Sequence, residues 1–273
     1  MAETETEIVA WIDDDEVADE HWVSELVRGF HLTPEAGAVS GVMVPAELET
    51  QSQMWFELYG GHNKGRGFDA DVFSSDATCA QSPLLPLPGF GTGGNFAIRR
   101  TTYERLGRFD PALGAGTRAM GSEDTRAFTE VLLGGESIRY QPTAVTRHFH
   151  RRDPAAFSRQ LYGYGVGLTA FYTSLVLDRW SVVGDLVRLA PQAWRVMTDP
   201  TGPRLAGLGE EFPTEVLRLH RRAFYGDPSP ISDPDGTRAA WTGDRPRSRR
   251  GHEISVMADG EVHCCPVSAR LPQ

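Results

Sequence analysis

Asp13-Asp14-Asp15 closes an apolar run near the amino terminus, and that junction constrains the fold more than any other stretch of the chain. Ile8-Val9-Ala10-Trp11-Ile12 is apolar on both alternating faces, the pattern of a strand buried in the middle of a parallel sheet. In extended backbone Asp13 and Asp15 project to the same side, so they can share a divalent cation. A buried strand that ends in acids also places them at the carboxyl edge of the sheet, where open α/β folds bind ligands. Carboxylate oxygens suit hard ions such as magnesium or manganese.

Composition narrows the rest. With 273 residues and 40% hydrophobic content, the chain can build one large domain or two small ones around an ample core. A formal charge of −10 argues against nucleic-acid binding by charge. Cys79 stands alone and Cys264 adjoins Cys265, so there is neither a CxxC metal pattern nor a disulfide framework. A reducing cytoplasm is the expected compartment. The acidic start lacks an apolar signal core, and no run reaches the length of a membrane span.

Periodicity predicts the remaining elements. A helix opens at Asp19 or Glu20 and carries Trp22, Val23, Leu26, Val27 and Phe30 on one stripe. A strand is expected over 38–44 and a helix over 50–59, followed by an irregular functional or mobile loop over 60–88. Asn95 to Ile98 reads as a short strand. Thr101 to Glu104 reads as a capping box opening a helix that Gly107 stops. A helix capped by Ser122 runs to Leu133, then a strand over 137–140 and an edge strand over 144–149. Amphipathic helices follow over 155–177, 182–197 and 214–225, and poor order is expected from Gly226 onward. The domain reading is a core over 1–153, a helical extension over 154–225 and a tail over 226–273.

Five constellations could carry chemistry. Beside the acid triplet stands Gly89-Phe90-Gly91-Thr92-Gly93-Gly94-Asn95, which literally satisfies G-x-G-x-x-G. Prolines precede it and a strand follows, so it is no dinucleotide fingerprint, but its backbone can approach a ligand closely. Gly121-Ser122-Glu123-Asp124 sets two acids in a helix's first turn; as dipole partners they are worth about 0.3–1 kcal/mol each, and facing a cleft one could accept a proton. His148-Phe149-His150 puts two imidazoles on one strand face beside Arg147, Arg151 and Arg152, a place for a cation and phosphates. Arg159 to Gly165 offers aromatic side chains beside glycines, with simple packing the stronger reading.

The order of these pieces resembles the family 2 glycosyltransferases with the GT-A fold, over roughly residues 8–167. The resemblance implies an α/β fold: a partial, Rossmann-like GT-A sheet with flanking helices, followed by amphipathic helices. It makes Asp13 and Asp15 the metal residues that grip the diphosphate of a nucleotide sugar, with Asp14 and Arg151 at the donor. Asp124 is the matching catalytic base, with Glu123 beside it, and His148 or His150 completes the metal shell. Gly91, Gly93, Gly94 and Asn95 shape the sugar or acceptor pocket. The implied reaction is inverting, uses Mn2+ or Mg2+, and moves a sugar to a hydroxyl of a glycan, lipid-linked or small-molecule acceptor.

In that family a nucleoside-binding half precedes the metal motif, so this chain is expected to lack the strands flanking Ile8–Ile12 and the base and ribose pocket. Rival readings are a non-catalytic remnant or interaction module, and a metal-dependent phosphohydrolase using the same acids. The apolar helices between Ala155 and Met197 suggest peripheral contact with the inner face of the cell membrane.

Overall fold

The structure is a computed structural model that describes residues 6–64, 66–75, 82–85, 89–198, 208–209, 212–224, 252–256 and 262–266. The first strand, β1 (Ile8–Ile12), ends at the acid triplet and is followed by the short β2 (Glu16–Ala18) and helix α1 (Trp22–Leu32). Next come β3 (Ala36–Pro45), α2 (Gln51–Leu58), β4 (Asp71–Phe73) and β5 (Asn95–Arg99). Then follow α3 (Arg100–Leu106), α4 (Glu123–Leu133), β6 (Ser137–His148), α5 (Pro154–Asp178), α6 (Val182–Thr198) and α7 (Thr214–Phe224). The strands β7 (His252–Val256) and β8 (Val262–Pro266) complete the described elements.

Among the described residues, eight strands form one mixed sheet in the order β2-β6-β3-β5-β1-β7-β8, with β4 also on β6. The apolar run of β1 is doubly buried, as its composition requires, but its neighbours β5 and β7 are both antiparallel. The parallel setting expected from sequence therefore fails. An apolar run reports burial on two faces and carries no information on the direction of its neighbours. The parallel pair is β3 with β6.

Alternation along the strands feeds two cores. Ile8, Ala10 and Ile12 of β1 meet Val39, Ala97 and the Trp22, Leu26 and Phe30 stripe of α1 on one face. Phe96, Ile98, Ile138 and Tyr140 meet Phe128, Val131 and Leu132 of α4 on the other, where Trp11 stacks on Phe96 with ring centroids 4.8 Å apart. Each such fully buried side chain contributes roughly 1.5–3 kcal/mol. A third cluster of Leu84, Leu85, Phe171, Leu175 and Leu189 joins α5 and α6 to the loop before β5.

Several local expectations change. The two strands expected on either side of Pro142 are one continuous β6, which pairs on both sides and is no edge. A register shift against β3 between Ser40 and Val42 bulges Pro142 out of the ladder, where its missing N–H costs nothing. The box at Thr101 is not formed: α3 starts at Arg100 with Arg99 in the cap position and no side-chain cap. Ser122 precedes α4 at φ 71, a left-handed conformation from which its hydroxyl does not cap. Thr50 does form a reciprocal capping box with Gln53, and Asp153 caps α5 through the Ala156 N–H at 2.8 Å. The glycines at 163, 165 and 167 do not interrupt α5; they are buried in a continuous helix. Of the tail, residues 252–256 and 262–266 are strands, and β7 fills the side of β1 expected to be bare. The remainder of that tail lies outside the described residues.

One side chain ties the central strands together. Asn95, fully buried, accepts from Trp22 Nε1 at 2.8 Å and donates to the Val42 and Ala144 carbonyls at 2.8 and 2.9 Å. Asn95→Ala strands an indole N–H and two carbonyls, each worth about 1–3 kcal/mol when left unmade. The expected loss in urea unfolding is roughly 3 kcal/mol or more; a loss below about 1 kcal/mol contradicts the clamp.

Candidate functional site

The site is assembled by the antiparallel pairing of β2 with β6, which sets Glu16 opposite His148. The turn between β1 and β2 is closed by the Glu16 N–H donating to the Asp13 carbonyl at 3.2 Å. The Phe149 N–H then donates to the Asp15 carbonyl at 3.0 Å, stitching the acid loop to the end of β6. As a result Asp15 Oδ1 lies 3.4 Å from His148 Nε2, and Asp15 Oδ2 lies 3.3 Å from Arg151 Nη2. Asp14 is exposed.

The imidazoles meet as a trio. His148 and His150 are each 3% exposed, with their Nδ1 atoms 2.8 Å apart. His150 Nε2 reaches Glu57 Oε1 of α2 at 2.7 Å. His62, from the turn after α2, brings its ring to 4.4 Å from that of His148 and 5.7 Å from that of His150. Burial holds the His62 pKa well below the ordinary imidazole value, and the neighbouring His148, His150 and Lys64 add to that.

The glycine loop forms the second wall. A Cβ on Gly93 would stand 2.9 Å from the Asp124 Cβ, and one on Gly94 would stand 1.7 Å from Glu16 Oε1. A side chain at either position would force the facing acid to shift, because the loop backbone lies directly on the two acids. Lys64, at φ 52, donates to the Gly91 carbonyl at 3.3 Å. Asn95 sits behind this wall with its carboxamide committed to Trp22, Val42 and Ala144, so its side chain does not face the cleft.

The start of α4 is held against α5 through buried glycines. A Cβ on Gly167 would come 2.8 Å from Ser122 Oγ, so only glycine lets the Gly121–Ser122 turn approach so closely. Asp124 Oδ1 accepts from the Thr125 N–H at 2.6 Å, which fixes its rotamer. Burial, with Asp124 and then Asp13 as like-charged neighbours, pushes the Glu123 carboxyl up to about 7. The Tyr164 phenol is pushed above its ordinary range by burial of its hydroxyl and further by Asp124, Asp15 and Asp13. These carboxylates therefore share one electrostatic neighbourhood although 109 positions separate Asp15 from Asp124.

Glu16 is strongly perturbed. Both its carboxyl oxygens are buried without a hydrogen-bond partner of good geometry. Burial, reinforced by Asp13 and Asp15 and partly offset by the Thr146 hydroxyl, pushes it up to about 9. Sequence reasoning singled out Asp13, Asp15, Asp124, His148 and Arg151, which the fold brings to one cleft. It missed Glu16, Glu57, His62 and Lys64. Of these only Lys64 carried a signal, as the single lysine of the chain, and only the loop reading over 60–88 pointed toward His62.

In metal-free protein, Glu16 makes folding pH-dependent with a defined sign. Below the unfolded-state value both states bind the proton; between that value and about 9 only the folded state keeps it. Stability therefore falls as pH rises, by up to about 1.4 kcal/mol per unit from this group. Glu16→Gln is expected to flatten the decline in urea midpoints between about pH 5 and about pH 8. An unchanged slope in the variant contradicts the assignment.

Comparison with known proteins bears on what this cleft is for. No curated protein matches the chain. A family model described as glycosyl transferase family group 2 matches residues 8–208, from β1 past the end of α6. The match covers the acid loop, the glycine loop, the α4 start and the imidazoles on a mixed sheet flanked by helices. The chain thus belongs to the family 2 glycosyltransferases, sugar-transferring enzymes with the GT-A fold.

Proposed function

We propose that the cleft transfers a sugar from a nucleoside-diphosphate donor to an acceptor hydroxyl with inversion, using a divalent cation held by Asp13 and Asp15. The observation that carries this reading is the convergence of Asp13, Asp15, Glu123 and Asp124 beside a basic side chain, Arg151. The donor set fits: all oxygen, of matched charge, and enclosed, so that burial first and the neighbouring acids second push Glu16 and Glu123 toward their neutral forms. When bound, magnesium or manganese would neutralise charge developing on the departing diphosphate.

The chain's own groups do the rest. Arg151 stands where it can move from Asp15 to a phosphate oxygen, a charge-assisted contact. The loop at Gly91, Gly93 and Gly94 lies on Asp124 and forms the wall along which a sugar would sit. Asp124, its rotamer fixed by the Thr125 N–H, takes the proton of the acceptor hydroxyl. The acceptor oxygen bonds to the anomeric carbon as the bond to the diphosphate breaks, and the leaving electron pair ends on phosphate oxygen. Glu123, titrating near neutrality, hydrogen-bonds the acceptor in its protonated form.

Asp124→Asn is expected to lower transfer by about 10²–10⁴-fold while the protein stays folded. The measurement is turnover of a panel of nucleotide-sugar donors, with product configuration read by NMR. Retained anomeric configuration, or undiminished transfer in excess chelator, contradicts the mechanism. Binding without donor consumption favours a non-catalytic module, and phosphate release from simple phosphoesters favours a phosphohydrolase.

A lipid-linked acceptor at a membrane surface is favoured by one observation. Leu177, Trp180, Val187 and Trp194 are 79%, 75%, 69% and 60% exposed. Val187 and Trp194 are seven apart on one face of α6, with Arg188 and Arg195 adjoining them. Such a stripe suits the headgroup region of an anionic bilayer, and among the described residues no helix is long and apolar enough to cross one. Co-sedimentation with anionic phospholipid vesicles is expected, and its loss in Trp180→Ser/Trp194→Ser; equal recovery of parent and variant, or no recovery of either, contradicts it.

A further inference from the structure

We propose that His62, His148 and His150 form a second metal site, separate from the carboxylates, for a zinc-class ion that prefers nitrogen ligands. One ligand atom from each of the three residues lies within 4.8 Å of the others. Three imidazoles bonded to one zinc at ~2.0–2.1 Å hold their nitrogens about 3.3 Å apart, so closure needs side-chain shifts on the order of 1 Å.

Hydrogen-bond arithmetic supports a cation at that point. His150 Nε2 lies 2.7 Å from Glu57 Oε1, and His148 Nε2 lies 3.4 Å from Asp15 Oδ1. A carboxylate accepts, so the His150 Nε2 at 2.7 Å carries the hydrogen and, in the neutral ring, Nδ1 presents a lone pair. The His148 Nδ1 faces that lone pair at 2.8 Å. A lone pair so placed takes a proton from the facing ring or a metal ion. His62 Nε2, buried and without a hydrogen-bond partner, is a third nitrogen in the same trio. Carboxylate behind imidazole is also the arrangement that orients metal-bound histidines and raises their basicity.

The surroundings fit such an ion and not the one held by Asp13 and Asp15. The Phe56 ring meets His62 and His150 edge-on at 4.9 and 4.7 Å, walling the trio with hydrocarbon. Neutral imidazoles suit zinc, whereas an all-oxygen set suits magnesium or manganese. The Nδ1 atoms of His148 and His150 face each other, while His148 Nε2 faces Asp15. Zinc here would clip the turn carrying His62 and Lys64 to the end of β6, and so fix the lysine against Gly91 and the imidazole behind Asp15. Three protein ligands leave a fourth position for water.

The test does not depend on sugar transfer. Untagged full-length chain purified with zinc present is expected to carry about one zinc per chain by elemental mass spectrometry. Substituted with Co2+, it is expected to show the visible bands of a four-coordinate, nitrogen-rich site. Asp13→Asn retains that spectrum, whereas His62→Ala loses it and Glu57→Gln weakens zinc affinity by about 10–100-fold. Absence of zinc together with a pale, six-coordinate cobalt spectrum overturns the proposal, as does zinc held equally tightly by folded His62→Ala. The parent cobalt spectrum decides the matter by itself should that variant fail to fold. A site that binds zinc in a protein that transfers no sugar overturns the functional reading alone.

Discussion

Antiparallel pairing between β2 and β6 is the constraint on which the rest of the site depends. Three residue pairs, Glu16 with His148, Val17 with Arg147 and Ala18 with Thr146, bring the opening of the chain against a strand about 130 positions later. That short ladder fixes the Asp15 carbonyl on the Phe149 N–H and sets its carboxylate between His148 and Arg151. The partner face of β6 lies on β3, whose own position is locked through Asn95 to β5, α1 and the β6 bulge. The acid loop is thus mounted on backbone pairing, with β2 at the end of the sheet order and β6 beside it.

The same geometry concentrates like charge. Asp13, Asp15, Glu16, Glu123 and Asp124 crowd a partly enclosed space, and two of them, Glu16 and Glu123, are pushed up to about 9 and about 7. Burying like-charged acids together destabilises the fold, and a site that retains them must gain elsewhere. A divalent cation between Asp13 and Asp15 would lower that repulsion, so binding and folding favour each other. The glycines complete the design. Gly93 lies on Asp124 and Gly94 on Glu16, so a methyl group at either position would force the facing acid to shift.

Much of this was legible in the sequence. The apolar run ending in Asp13, the glycine cluster and the Ser122-Glu123-Asp124 helix start were each placed on the right element. The spacing of His148 and His150 correctly put both rings on one side. What was not legible depends on partners distant in sequence. The direction of the strands beside β1 is set by how the whole sheet closes, which an apolar pattern does not encode. The two strands expected over 137–140 and 144–149 are one, because Pro142 is accommodated by the bulge opposite Ser40 and Val42. Asn95 looked like a pocket residue, since nothing local announces that Trp22 and two distant carbonyls claim its carboxamide. His62 and Glu57 were invisible because neither sits in a motif and only tertiary approach makes them neighbours of β6.

The central claim is that the acid loop, held on β6, grips a cation through Asp13 and Asp15. Anomalous diffraction at the manganese edge, from crystals of the full chain grown with Mn2+, tests it directly. The expected result is one strong peak within bonding distance of both carboxylates. A peak elsewhere with these carboxylates bare, or an acid loop detached from β6, would contradict it.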